Sequence, residues 1–202
     1  MERFFFERPS YERKSEIIAF LDEFRAAGSD INGSGGLDKI CDGMSFEDAL
    51  GRCLGMENRE YALSVGRCPG VTFLMFREND GRLVGTINVR WELNEPMRSW
   101  GGHVGYGVRP SERRKGYNKI NLYFGLGEAL KHGVEAVLVG CSKTNVASER
   151  SILALGGVFE RDTVDPADGE PELMFVIDAA SSLEKYRDVY EPRIIRIDAT
   201  PV

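Results

Sequence analysis

One segment of the sequence combines the residue types that bind phosphate. Between Gly105 and Asn118, an apolar strand that ends at Val108 is followed by a basic turn, and this turn leads directly into a helix. The first N–H groups of a helix have no intrahelical partner, and the helix dipole adds positive potential there. The turn carries three cations: Arg113, Arg114 and Lys115. Together with Gly116, which lets a ligand approach the backbone, they predict a diphosphate-binding turn. The alternative is a basic surface loop that binds nothing.

The hydrophobic pattern places this turn in an α+β order of elements. Residues 9–27 carry apolar positions at helical spacing, Ser45 and Asp48 have the spacing of a helix cap, and Asn79-Asp80-Gly81 predicts a hairpin turn. In chain order the pattern predicts helices over 9–27 and 45–59, strands over 71–76, 82–91 and 103–108, a helix over 114–132, a strand over 134–140, a helix over 146–155, and strands over 158–161 and 172–177. Two helices therefore precede a set of antiparallel strands, and one parallel crossover follows.

Two further segments complete the predicted organisation. Residues 32–36 are too rich in glycine for regular structure and are predicted to form a loop, either a linker or one wall of an acceptor site. Residues 179–202 are predicted to form a tail with one short helix and an extended end. Residues 1–178 then make up one domain.

The basic turn also resembles a known motif. Residues 113–118, Arg-Arg-Lys-Gly-Tyr-Asn, match the diphosphate motif of the GNAT superfamily of acetyltransferases, Arg/Gln-x-x-Gly-x-Gly/Ala, except at the last position. Asn145-Val-Ala-Ser148, followed by Gly-Gly-Val-Phe at 156–159, resembles a second block of that family. Residues 101–113, 33–37 and 88–90 are similar to a subgroup of predicted bacterial acetyltransferases. The resemblance extends over roughly residues 1–178.

The resemblance implies a fold and a co-substrate. The fold is a three-layer α+β arrangement, with a central mixed, mostly antiparallel sheet, helices on both faces, and one splayed pair of parallel strands at 105–108 and 134–140. The co-substrate is acetyl-coenzyme A, and no metal is implied. Its pantetheine arm would lie in the gap between the two strands and pair with backbone groups around Val108.

The resemblance also implies which residues contact the coenzyme and how the reaction proceeds. Asn145 and Ser148 would lie beside the pantetheine arm. Six consecutive residues would surround the diphosphate: Arg113, Arg114, Lys115, Gly116, Tyr117 and Asn118. The acetyl group would pass directly to a primary amine of a small molecule or peptide, and a backbone N–H near Val108 would stabilise the oxyanion.

Two side chains are candidates for the base that removes a proton from the amine. His103 lies on the strand that leads to the expected thioester position, and imidazole titrates near neutrality; the alternative is a histidine that only forms hydrogen bonds within the core. Glu92 would act through water, unless it is only a solvated carboxylate. Strand alternation places Tyr106 on the face of Val104 and Val108, as a core residue. The glycines at 105 and 107 lie on the other face and would leave room for coenzyme.

Two departures from the family pattern open a second hypothesis. Asn118 stands where the family has glycine or alanine, and Ile152 stands where many relatives carry a tyrosine that protonates the leaving thiolate. The alternative to an active N-acetyltransferase is therefore a coenzyme A-binding sensor or interaction module with little catalysis. Trp91 and Trp100 flank the expected acceptor entrance, where they would either stack on the amine or pack against the protein. Glu92 and Glu95 would either attract a cationic amine there or remain isolated surface acids.

Composition limits the partners and the location. The chain has 202 residues and a net charge of −6, which argues against a general nucleic-acid surface. The four cysteines are dispersed, which is typical of free thiols in a reducing compartment. No apolar run approaches the roughly 20 residues that a membrane span requires, and the N-terminus lacks the features of a secretory signal. We therefore expect a cytoplasmic protein without nucleic-acid or membrane partners, and consider a homodimer plausible for this superfamily.

Overall fold

The computed structural model describes residues 1–166 and 169–195 and contains eight strands and seven α-helices within them. The strands are β1 Phe4–Glu7, β2 Gly70–Arg77, β3 Leu83–Arg90, β4 Val104–Val108, β5 Ala136–Ser142, β6 Val158–Val164, β7 Pro171–Asp178 and β8 Ile194–Ile195. The helices are α1 Lys14–Ala26, α2 Phe46–Gly55, α3 Arg59–Ser64, α4 Tyr117–Lys131, α5 Val146–Ala154, α6 Ala179–Lys185 and α7 Arg187–Tyr190. Within these ranges no helix is long and apolar enough to cross a membrane.

Local signals in the sequence account for the first helices. The apolar stripe of α1 is buried as its spacing predicts, with Ile17, Phe20, Leu21 and Phe24 turned inward. Ser45 caps α2, because its side chain accepts a hydrogen bond from the Asp48 backbone N–H at 3.0 Å. The helix predicted from Ser45 to about Arg59 is instead two helices, because the chain turns between Gly55 and Arg59.

The strands form a mixed arrangement of the predicted α+β class, divided into two sheets. The first has the order β4-β3-β2-β1-β8, antiparallel except for the parallel pair of β1 and β8, and the second has the order β5-β7-β6, antiparallel throughout. The division falls between β4 and β5, where the sequence predicts a splayed pair. Helices α1 and α2 cover one face of the first sheet, and α4 packs on the other.

The ends of the chain contain two strands that the sequence pattern did not reveal, and the short helix predicted for the tail is present as α6, followed by α7. Strand β1 pairs with β2 through Phe4-Phe5-Phe6, and β8 adds to its other edge. Helix α6 is joined to the body of the protein by the Ser182 hydroxyl, which donates to the Leu155 carbonyl at 2.7 Å. The extended end that we predict for residues 196–202 lies outside the described residues, and the domain division at residue 178 stays a prediction.

An ion pair joins α1 to the start of the basic turn. Arg109 directly follows β4; its Nε donates to Glu23 Oε2 at 2.6 Å, and its other nitrogens donate to backbone carbonyls of α1 and β3. The Ser111 backbone N–H donates to the second carboxylate oxygen of Glu23 at 2.7 Å. Burial alone would raise the pKa of Glu23, but the hydrogen bonds from Arg109 and Ser111 lower it from 4.5 to about 2. The Glu23 carboxylate therefore determines where the turn begins.

This ion pair predicts a specific dependence of stability on pH. Because the pKa of Glu23 is lower in the folded state, its contribution is complete above pH 4.5 and disappears as the pH falls towards 2. We expect Glu23→Gln to lower the free energy of unfolding by about 2 kcal/mol at pH 7. Urea unfolding at a series of pH values should show that the free energies of unfolding of the native protein and of the variant approach each other as the pH falls from 4.5 to 2. A constant difference across that range would contradict the assignment.

Candidate functional site

The gap between the two sheets is closed at one end by His103. The His103 backbone N–H donates to the Leu138 carbonyl at 2.7 Å, and the Leu138 N–H donates to His103 Nδ1 at 2.9 Å. In the described part of the chain, the bridge between Gly102 and Val139 is the only β-type pairing between this edge and β5. We call the pair of hydrogen bonds between His103 and Leu138 the clasp; beyond it, β4 and β5 belong to different sheets and do not pair, which leaves the gap between them.

The backbone of β4 presents free polar groups to the gap. Arg90 N–H donates to the His103 carbonyl, and Arg109 N–H donates to the Val84 carbonyl, so these odd-numbered positions of the β4 segment pair with β3. In an antiparallel pair the alternate residues point the other way. The N–H groups of Tyr106 and Val108 therefore face the gap, as the expected oxyanion donor near Val108 requires.

The basic turn ends in an uncapped helix N-terminus. Gly116 is the N-cap residue of α4 with φ 79°, and no side chain caps the helix there. A Cβ added to Gly116 would meet no atom within 4 Å, so the space in front of the first N–H groups is open. Arg114 has φ 66°, and alternation of such left-handed residues with ordinary ones turns successive N–H groups towards one point. This geometry fits an anion.

The three cations of the turn differ in whether protein groups already bind their side chains. Arg113 donates to the Val108 carbonyl at 3.2 Å and to Ser29 at 2.7 Å, and its guanidinium lies over the Phe24 ring. Lys115 pairs with the buried carboxylate of Glu112 at 2.7 Å. Arg114 is exposed, and within the described residues its side chain has no hydrogen bond or ion pair.

Tyr117 contributes only its backbone to the turn. Its side chain is buried beneath the turn, where its hydroxyl donates to Glu2 at 2.9 Å and accepts from Arg77 at 3.3 Å. The predicted diphosphate site is thus formed by backbone N–H groups and Arg114, with Arg113 and Lys115 held beside it by protein partners.

The remaining predicted coenzyme contacts meet at the wide end of the gap. Asn118 Nδ2 donates to Ser151 Oγ at 3.2 Å, which links α4 to α5. Asn145 caps α5, because its side-chain oxygen accepts from the Ser148 N–H at 3.1 Å. The structure therefore brings Asn118, Asn145 and Ser148 together beside the gap, and their contact with coenzyme stays a prediction.

Tyr106 has a feature that sequence reasoning missed. Its ring packs against the core, as predicted, but its hydroxyl reaches across the gap to Ser148 Oγ at 2.7 Å and also interacts with Asn118. Burial raises the pKa of this hydroxyl well above its usual range, so it stays protonated. Ile152, at the position where relatives carry a tyrosine, is fully buried. A phenol is therefore present at the gap, but it comes from β4.

The candidate bases are placed less favourably. His103 Nδ1 already accepts the Leu138 N–H, so the neutral ring carries its proton on Nε2 and has no free lone pair. Burial, together with the positive charges of Arg90 and Arg98, lowers the pKa of His103 from 6.5 to about 4. Glu92 pairs with Arg59 at 2.6 Å and lies beyond the end of β3 that is far from Val108. The structure does not bring Glu92 to the gap.

Two other expectations need correction. The face of Gly105 and Gly107 is not open to coenzyme, because a Cβ on Gly107 would lie 2.8 Å from the Asn32 carbonyl, and one on Gly33 would collide with Gly105. The glycines allow the loop at 32–36 to lie directly on β4.

Trp91 does not line an acceptor entrance, because its ring stacks on His132 at 4.0 Å. In the described part of the chain, no group of three or more His, Cys, Asp or Glu side chains could hold a metal.

The clasp predicts how His103 titrates. The pKa of His103 in the folded state lies below its ordinary value of 6.5. The neutral ring therefore makes its full contribution to the free energy of unfolding above pH 6.5, and this contribution is lost as the pH falls through 4. We expect the imidazole resonances to show a midpoint near pH 4 in an NMR titration, with His132→Gln used to remove the other histidine. A midpoint near 6.5 would show that the ring is free and available as a base.

Solved structures of other proteins share the fold of this chain. Ribosomal-protein-S5-alanine acetyltransferase from Vibrio fischeri superposes with a TM-score of 0.65 at 15% identity, over 88% of this chain and 94% of that one. A GNAT-family acetyltransferase from Bacillus anthracis gives 0.55 at 15% identity, over 89% and 99%. RimL, an acetyltransferase of ribosomal L7/L12 in complex with coenzyme A, gives 0.59 at 16% identity, over 86% and 94%. At these identities the likeness shows a shared fold.

The family itself is shown by the sequence. A search of curated proteins found no match. The model of the acetyltransferase (GNAT) family matches residues 44–156, which is more than half of the chain and includes the gap strands, the basic turn and α5. This chain belongs to the GNAT family of acetyltransferases.

Proposed function

We propose that this protein is an acetyl-coenzyme A-dependent N-acetyltransferase that acts by direct transfer on a primary amine of a small molecule or peptide. The observation that carries the proposal is the uncapped N-terminus of α4, open in front of Gly116, beside a gap that the N–H groups of Tyr106 and Val108 face. A diphosphate and an extended arm that carries amide groups fit these two features. When bound, acetyl-coenzyme A supplies an acetyl group activated as a thioester.

The roles of the chain's own groups follow from their positions. The backbone N–H groups of Gly116, Tyr117 and Asn118, with Arg114, bind the diphosphate. The amide nitrogen of Asn145 and the hydroxyl of Ser148 orient the arm. The N–H groups of Tyr106 and Val108 hold the carbonyl oxygen and stabilise negative charge as it develops there, which lowers the barrier to transfer.

Proton transfer is assigned to Tyr106 and not to His103 or Glu92. The Tyr106 hydroxyl is protonated and lies in the gap, so it donates a proton to the departing sulfur and recovers one through Ser148. His103 is a structural residue in this proposal, because its accepting nitrogen is engaged by Leu138. The amine reaches the site neutral or gives its proton to water.

A matched pair of glycine variants tests the diphosphate site. Gly116 and Gly133 lie at opposite ends of α4, both have φ +79°, and a Cβ on either would meet no protein atom within 4 Å. Replacement of either glycine by alanine should therefore lower the free energy of unfolding by about the same amount, roughly 1 kcal/mol. Only Gly116→Ala adds a methyl group in front of the helix N-terminus, and we expect it to weaken acetyl-coenzyme A binding about tenfold or more by isothermal titration.

Equal affinities in the two glycine variants would place the diphosphate elsewhere. Absence of any complex in the unmodified protein would remove the proposed function altogether.

Tyr106→Phe tests the assigned proton donor. With the best acceptor from an amine panel, we expect kcat to fall on the order of 100-fold in a thiol-release assay. The dissociation constant of acetyl-coenzyme A should change much less, because the ring and its packing remain. An unaltered kcat at saturating substrate would exclude the hydroxyl from proton transfer.

A second candidate function has one structural observation in its favour. Asn118 occupies a position at which the family has a small residue, and its side chain is engaged by Ser151 and Tyr106 within the gap. A chain that binds coenzyme A as a sensor or interaction module would show tight binding without thiol release from any amine. The peptide acceptors of RimL and the Vibrio enzyme make a peptide amine possible here also. A homodimer, a cytoplasmic location and the lack of nucleic-acid or membrane partners stay predictions.

A further inference from the structure

A strip of polar side chains crosses the sheet beneath the loop at 32–36. Thr86 donates to the Asn32 carbonyl at 3.2 Å, and Asn88 donates to Thr72 at 3.1 Å. The side chain of Arg90 follows on the same face of β3, because residues 86, 88 and 90 alternate with inward-facing apolar ones. The two threonines are almost completely buried. The strip is satisfied by protein partners except at Arg90.

Arg90 lacks the counter-charge that the other inward-facing arginines have. Arg77 pairs with Glu112 and Arg109 pairs with Glu23. For Arg90 no Asp or Glu lies within ion-pair distance in residues 1–166 and 169–195, and its donors reach only the Met97 sulfur at 3.0 Å and the Gly101 carbonyl at 3.3 Å. Its Nε is buried without a partner. A guanidinium removed from water with so few acceptors is costly unless an anion joins it.

The surroundings of Arg90 are also positive. Arg90 and Arg98 both lower the pKa of His103, and burial lowers the pKa of Arg90 itself to about 10. The nearby carboxylate of Glu92, which the sequence offered as an attractant for cations, is neutralised by Arg59. Trp100 adds a second buried N–H without an acceptor in the turn that Arg90 contacts. This corner favours an anion although the whole chain carries a net charge of −6.

The guanidinium lies next to the reacting edge of β4. A Cβ on Gly105 would lie 3.4 Å from Arg90 Nη2, which is contact distance, so the guanidinium lies directly beside the Gly105 backbone. The next residue is Tyr106, whose N–H faces the gap. Between Gly105 and Val108 the strand rises by about 10 Å. A group bound at Arg90 is therefore within the length of a small molecule from the groups assigned to acetyl transfer.

We propose that Arg90 binds the carboxylate of the acceptor, and that the acceptor is a small amino acid, with its primary amine directed at the gap. The inference rests on the proposed function and names its substrate class. A guanidinium matches a carboxylate in charge and in planar geometry, and the pair gains most where both are partly removed from water. Arg90 and Gly105 are both partly exposed, and in this proposal the exposed part of the Arg90 side chain receives the carboxylate. A polyamine has no group that would satisfy Arg90.

Matched acceptors and two variants test this proposal. Thiol release from acetyl-coenzyme A is measured with the common L-amino acids and with their C-terminal amides, which differ only in the carboxylate. We expect the best acid to exceed its amide in kcat/KM by about tenfold or more. In Arg90→Gln the kcat/KM for the acid should fall on the order of 100-fold, with the amide changed little. Arg98→Gln, which removes an exposed neighbouring cation, should preserve the preference.

Two results would overturn the inference. One is a native enzyme that uses amides as well as it uses acids. The other is an Arg90→Gln variant that keeps the acid preference and loses only thermal stability, which would make Arg90 a purely structural residue.

If no amine supports thiol release, catalysis in the proposed function fails, and an equilibrium binding experiment decides separately whether Arg90 binds a carboxylate. NMR titration of the same acids and amides onto the coenzyme A-saturated protein, or onto the protein alone, should then show acid binding that Arg90→Gln abolishes. Absence of acid binding there would reject the site.

Discussion

The whole site depends on the two hydrogen bonds that join His103 to Leu138. They join the segment that begins β4, the edge strand of the first sheet, to β5 of the second sheet, while the remainder of the two strands stays unpaired. The clasp requires a neutral imidazole with Nδ1 as the acceptor, and burial together with the charges of Arg90 and Arg98 lowers the pKa of His103 and so keeps the ring neutral. One histidine therefore shapes the gap and is, for that reason, unsuited to serve as a base within it.

The opposite end of the gap is fixed by ion pairs beneath the basic turn. Glu23 holds Arg109 and the Ser111 N–H, and Glu112 is buried between Arg77 and Lys115. Buried ion pairs contribute little net stability compared with apolar packing. Their concentration under one turn is consistent with a positioning role, because they join the turn to α1 and β2. The open space at Gly116 and the left-handed backbone at Arg114 lie directly beyond this support.

Features that depend on neighbouring residues could be predicted from the sequence. The stripe of α1, the cap at Ser45 and the order of the central strands arise from spacings of a few residues, and the structure confirms them. The binding of diphosphate by the basic turn stays a prediction. Short elements at the ends of the chain were missed, because β1 has four residues and β8 has two, too few for a clear periodicity.

The chemistry within the site could be predicted only in part, because it depends on distances between residues far apart in the sequence. Tyr106 is a core residue by its strand alternation, and only the packing of α5 shows that its hydroxyl meets Ser148, 42 positions away. Arg90 is an ordinary basic residue in the sequence; its missing counter-charge becomes visible when every neighbour is placed. The space at Gly105 and Gly107 was assigned to coenzyme because the sequence does not show that the loop at 32–36 folds over it.

Hydrogen exchange at individual backbone amides gives the most direct test of the central claim, which is that coenzyme A lies between β4 and β5 with its diphosphate on the α4 N-terminus. With saturating coenzyme A, exchange should slow at the amides of Val108, Gly116, Tyr117 and Asn118, because each N–H gains an acceptor from the ligand. Unchanged exchange at these four amides in a complex shown to be saturated, or protection confined to another part of the chain, would contradict the account.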